Sequence, residues 1–114
     1  VSNTHKRRFF EIAATILEVC RNGARRTHIM YRANLSFDQL NRYLKILTSA
    51  RLIRVDSDEK HYRLTEKGIS FLREYFDLEN AIKTYNSKKT SLLEIISSGR
   101  SAPISFSKPA ELTL

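Results

Sequence analysis

Most of the residue types that build catalytic and metal sites are scarce in this chain. Cys20 is its only cysteine in 114 residues, so no intrachain disulfide and no cysteine-based metal cage can form, and a reducing compartment is the simplest reading. Its place at an apolar helical position makes it a core residue rather than a nucleophile. Three glycines are too few for a phosphate-cradling loop, and neither HExxH nor CxxC occurs. His5, His28 and His61 fall in three different predicted elements at no metal-ligand spacing. Glu11 and Glu18, seven residues apart, read as a surface stripe rather than a catalytic pair. No apolar run approaches the ~18 residues of a membrane span. "VSNTHKRR" leads into a periodic helix instead of an apolar leader. The expectation is a cytoplasmic protein that is not an enzyme, uses no cofactor and touches no membrane.

What the chain has in excess is positive charge, a formal +8 with a pI near 9.9, which favours an acidic partner. Residues 1–35 carry seven basic side chains against two acidic ones, whereas 51–65 carry four against three and 66–89 five against four. The excess therefore sits at the N-terminal end.

Apolar periodicity predicts a first helix from Lys6 to Asn22, with Phe9, Ile12, Ala13, Ile16, Leu17 and Cys20 inward and Gly23 as its stop. A short second helix is predicted from Thr27 to Ala33, with Thr27 as N-cap and Ile29, Met30 and Ala33 buried. Arg25 and Arg26 stand at its entrance. After a break at Asn34, Ser36 and Gln39 form a capping box, while Leu35 and Leu40 occupy the positions of a hydrophobic staple. At 100° per residue, Phe37, Tyr43, Leu44 and Leu47 cluster about Leu40 as the buried face of this third helix. The opposite side presents Asp38, Asn41, Arg42, Lys45 and Ser49, flanked by Gln39 and Ile46. Charge on an exposed face usually serves solubility alone. The mixture here includes Arg, Asn and Gln, which pair bidentately with base edges in a major groove.

"RLIRVDSDEKHYRLT" reads as a hairpin, Leu52 to Val55 and His61 to Leu64, around the tip "DSDEK". Thr65 caps a fourth helix, with Leu64 and Ile69 as a second staple. The class is thus mainly α with a small β-hairpin, in the order helix, helix, helix, hairpin, helix. A short helix crossing into a longer one through a tight break is a helix-turn-helix, and the hairpin after the reading helix is its wing. In that geometry the first helix of the pair rests on the phosphate backbone and the second enters the major groove.

The segments "EIAATILEVCRNGARRTHIMYRANLSFDQLNRYLKIL", "RLIR" and "YRLTEKGISFL", spanning residues 11–72, resemble a family of small basic archaeal winged-helix proteins that dimerise through a long C-terminal helix. The block "ILEVCRNGARRTHIMYRANLS" carries the most specific part of the likeness. The resemblance implies sequence-tolerant or regulatory binding of double-stranded DNA, association with the nucleoid, and C-terminal helices paired as an antiparallel coiled coil. One departure is Arg51, which stands at a turn where such proteins often have glycine, so a non-glycine residue is expected to close the helix there.

These readings together give a DNA-binding set of Arg25, Arg26, Thr27, Arg32, Ser36, Asp38, Gln39, Asn41, Arg42, Lys45, Ser49, Arg54 and Arg63. The wing tip, with Asp56, Asp58 and Glu59 against Lys60, repels phosphate and argues against deep insertion. In the fourth helix, Ile69, Leu72 and Phe76 are expected to return to the core. Phe71, Tyr75, Leu78, Ile82 and Tyr85 have heptad spacing and are expected to form a homodimer seam, interrupted by Lys89. The expected organisation is a winged helix-turn-helix domain over 1–72, a dimerisation helix over 73–96 and a flexible tail over 97–114. The rival reading is a winged-helix adaptor for protein contact, favoured by the acidic wing. A ligand-sensing regulator finds no polar cluster to support it, and any small-molecule effector is unknown.

Overall fold

The computed structural model describes residues 2–58 and 60–98, with side chains from Arg8 onward. The elements are α1 (Ser2–Val19), α2 (Arg26–Ala33), α3 (Phe37–Ser49), β1 (Ile53–Val55), β2 (Tyr62–Leu64) and α4 (Glu66–Ser98). This is the predicted mainly α class with a two-stranded antiparallel hairpin, paired Ile53 to Leu64, Arg54 to Arg63 and Val55 to Tyr62. The chain divides into two compact units, Val1–Asp77 and Leu78–Leu114, and α4 contributes to both. Among the described residues no helix is long and apolar enough to cross a membrane.

Among the described residues the core of the first unit is apolar, with Ile16, Leu17, Ile29, Leu40, Leu47, Ile53, Leu72 and Cys20 as its most enclosed side chains. These come from α1, α2, α3, β1 and α4, together with the turn after α1, so one cluster fixes the angles at which the helices meet. Burial pushes the Cys20 thiol up to about 12. Because only the thiolate attacks, Cys20 should resist a disulfide reagent at pH 8 in the folded protein and react fully in denaturant; ready native reaction would contradict its burial. The unfolded thiol ionises near 9 and the folded one near 12, so this group lowers stability as pH rises across that window.

α1 ends at Val19 rather than Asn22, for a long-range reason. The Cys20 carbonyl accepts the Gly23 N–H at 3.0 Å and the Leu64 N–H at 3.0 Å, so β2 takes the acceptor that another helical turn would use. Gly23 adopts φ +89, the left-handed region that glycine reaches without steric penalty. α2 starts one residue earlier than expected, with Arg25 as an N-cap lacking any side-chain cap bond. Thr27 lies inside the first turn. The cause is an isolated bridge in which Ala24 and Tyr62 exchange backbone bonds of 3.0 and 2.7 Å, leaving the chain free to coil from Arg26.

Two helix ends are closed by non-glycine residues in the left-handed region, Asn34 at φ 55 after α2 and Arg51 at φ 65 after α3. At the second, Leu52 N–H reaches back to the Leu47 carbonyl at 2.9 Å. Thr65 then ties this turn to α4, because its Oγ1 donates to the Arg51 carbonyl at 2.6 Å and accepts the Gly68 N–H at 3.0 Å. The strands are each one residue shorter than expected; at Leu52 the N–H turns back to Leu47, while the carbonyl still accepts the Thr65 N–H across the hairpin at 3.1 Å. Asp56 N–H bonds the His61 carbonyl at 2.8 Å, beyond the three laddered pairs.

Three assignments to faces are corrected. Phe37, expected inward, is 62% exposed, because the Leu35 and Leu40 side chains already fill the core beneath the first turn of α3. Phe76 is likewise exposed rather than returned to the core. Phe71 and Tyr75, assigned to the dimer seam, pack instead against the core of their own domain, with Phe71 edge-on to Phe10 at 6.3 Å. Their packing carries the first unit to Asp77, past the expected boundary at 72. Ser97 and Ser98 belong to α4 rather than to a tail. Residues 99–114, Glu59 at the wing tip and the His5 side chain lie outside the described residues.

Candidate nucleic-acid interface

α3 is pinned at its start by the predicted capping box. Ser36 Oγ accepts the Gln39 N–H at 3.1 Å, and Gln39 Oε1 accepts the Ser36 N–H at 2.9 Å. Both side chains are therefore committed to the helix start, leaving Gln39 only its amide N–H groups for an outside partner. With Leu40, Leu44 and Leu47 buried, the helix turns Asp38, Arg42, Lys45 and Ser49 to solvent and holds Asn41 half-buried.

Asn41 is occupied by Arg26, whose Nη2 donates to its Oδ1. Arg26 Nη1 also donates to the Tyr62 hydroxyl at 3.3 Å, and its guanidinium lies 5.9 Å from the Phe37 ring centroid. One side chain of α2 thus links the N-terminal part of α3 to β2. Arg26, at the entrance of α2 as expected, acts here as a brace. Arg25 and Thr27, by contrast, are exposed.

Arg26, Asn41, Lys45 and Ser49 line one shallow cleft between α3 and the hairpin, together with Leu44, Thr48, Val55 and Tyr62. Arg32 lies elsewhere. It borders depressions on the α1 side, one with Glu18 and His28 and one with Glu11, Arg8 and Gln39.

The wing arginines are held locally by one carboxylate. Arg54 Nη1 donates to Asp56 Oδ1 at 3.0 Å and Arg63 Nε to Asp56 Oδ2 at 2.6 Å. Pairs this open contribute about 0–1 kcal/mol each, so a phosphate can compete for either arginine. At the tip, Asp58 accepts the Lys60 and His61 N–H groups and bonds the His61 ring Nδ1 at 2.7 Å. Chiefly through the Lys60 bond, and then the His61 ring, its carboxyl is held well down at about 2. Depression of a carboxyl contributes stability above its ordinary value of 3.8, lost as pH falls through about 2. Asp58 is therefore ionised at any physiological pH.

Sequence reasoning missed Tyr31, 87% exposed on α2, and the outward placing of Phe37. It also missed the part of Tyr62, whose hydroxyl meets Arg26 across 36 positions of sequence, a contact that no local pattern announces. Among the described residues no group of His, Cys, Asp or Glu is arranged to hold a metal ion.

Comparisons with known proteins agree with this frame. A family model described as winged helix-turn-helix matches residues 6–83. The uncharacterized protein MJ0287 of Methanocaldococcus jannaschii is 33% identical over 81 residues, covering 68% of this chain and 81% of that protein. Among solved structures, Sso10a-2, a DNA-binding protein from Sulfolobus solfataricus, superposes with a TM-score of 0.66 at 25% identity, over 75% of this chain and 92% of the other.

Proposed function

Because the chain belongs to the winged helix-turn-helix family, we propose that it binds double-stranded DNA, with α3 in the major groove and α2 against the phosphate backbone. The observation that carries this reading is the solvent face of α3, where Asp38, Arg42, Lys45 and Ser49 stand exposed on a capped helix braced by Arg26. The likeness to a DNA-binding archaeal protein supports it. The role is non-enzymatic and nucleoid-associated, as a regulator or a packaging protein.

Arg42 and Lys45 face the groove in this account, and Arg25 and Thr27 the backbone. Arg42→Ala should weaken duplex binding by about 1–3 kcal/mol if Arg42 reads a base, with the fold intact. Arg25→Ala should weaken all sequences alike. Fluorescence anisotropy on labelled duplexes at ~50 mM salt measures both. No binding by the wild type would leave protein contact as the function, the reading that the anionic wing tip favours.

Assembly is the second part of the proposal. In the second unit Leu78, Tyr85, Leu92 and Ile96 are exposed and, with half-buried Ile82, keep heptad spacing along α4. Lys89, which interrupts the row, lays its ammonium 5.7 Å from the Tyr85 ring centroid, so its stem and charge are accommodated beside the seam. A row of large apolar side chains in water is the mark of a partner surface, and a second copy of the chain supplies a matching row. Sedimentation equilibrium should give a dimer that Ile82→Asp converts to monomer. A monomeric wild type at micromolar concentration would sink the dimer.

A further inference from the structure

Phe37 stands at the first helical position of α3, the end that enters the groove in the reading above. Exposure of one aromatic residue means little alone; its place and support carry the argument. Along the helix Phe37, Asn41 and Lys45 follow at four-residue steps, each rotated about 40° from the last, so the ring begins the ridge that ends in the groove-facing lysine. The Arg26 guanidinium lies against it at 5.9 Å from the centroid, and Arg26 is itself bonded to Asn41 and to the Tyr62 hydroxyl. A ring so braced loses little further freedom on binding.

Phenylalanine has no donor or acceptor for phosphate or a base edge. The one apolar group that a base pair presents in the major groove is the thymine C5-methyl. Wedging between base steps belongs to minor-groove binders, which is not where α3 is placed. We propose that Phe37 is a specificity residue that packs on thymine methyl groups, so that the chain prefers A·T steps at the start of α3. The proposal rests on the DNA-binding reading and specifies what that face reads.

The test compares an alternating A·T duplex with its uracil counterpart, which differs only by loss of the methyl groups. The wild type should bind the thymine duplex roughly fourfold more tightly per contacted methyl. In Phe37→Ala the ratio should fall to one, and in Phe37→Leu, which keeps an apolar side chain, it should be largely retained. Equal wild-type affinity for the two duplexes would overturn the methyl contact and leave DNA binding intact. An unchanged ratio in Phe37→Ala would overturn it too, assigning the preference to duplex stiffness. Absence of binding to either duplex would overturn both readings.

Discussion

Raising salt from ~50 to ~200 mM should weaken duplex binding about a thousandfold. Arg25, Arg32, Arg42 and Lys45 are exposed, and Arg54 and Arg63 share Asp56 through open ion pairs. Brought against the duplex, whether at a phosphate or in the groove, these six cations neutralise the charge of about six phosphates, and counterion release then gives a slope of about −5 in log K against log salt. Arg26 is left out because its guanidinium is spent on Asn41, Tyr62 and Phe37. If the wing arginines stay on Asp56, only about four phosphates are covered and the slope falls towards −4. The salt series therefore also reports whether the wing engages. A slope near zero would contradict an electrostatic footprint altogether. Running the series on defined and random duplexes separates a regulator from a packaging protein, since only the first should retain a large preference.

Replacing Gly68 by alanine should have the largest effect on stability. A Cβ there would lie 2.3 Å from the Leu52 carbonyl oxygen and 2.5 Å from Leu64 Cδ1. The leucine methyl can move, but the carbonyl is held, because it accepts the Thr65 N–H at 3.1 Å. Alanine is a better helix former by about 1 kcal/mol, which offsets part of the cost. Overpacking of about 1–3 kcal/mol or more still wins, since the first turn of α4 must withdraw from the turn that joins α3 to β1. In a domain of this size a loss near 2 kcal/mol lowers the melting temperature by about 10 °C. A circular-dichroism melt of Gly68→Ala decides it; an unchanged or raised midpoint would mean that the two elements do not approach so closely.

The features legible in the sequence were those written in local chemistry. The Ser36 and Gln39 capping box, the break at Asn34 and the Thr65 cap all depend on residues within a few positions of one another, whereas the closure at Arg51 was expected from the family resemblance. The hairpin was legible for the same reason, missing only its end residues. What local pattern could not supply was where each face meets its neighbour. Helical periodicity placed Phe37 with Leu40 and Leu44, but the core beneath was already filled. It likewise divided α4 into a core stripe and a seam, while packing exchanged Phe76 for Phe71 and Tyr75. The start of α2 and the brace at Arg26 both depend on Tyr62, which lies in the wing far along the chain. Of the candidate site, the exposed character of Arg42, Lys45, Asp38 and Ser49 followed from the helical angle alone. The commitment of Asn41 to Arg26 did not.

The central claim is that α3 presents the DNA-reading surface, and amide chemical-shift mapping during titration with a duplex tests it most directly. The account predicts shifts concentrated at Phe37, Asp38, Asn41, Arg42 and Lys45, with a second group at Arg25 and Thr27, and little change at the Asp58 turn. Shifts confined to the wing and α1, with the outward face of α3 unmoved, would contradict it.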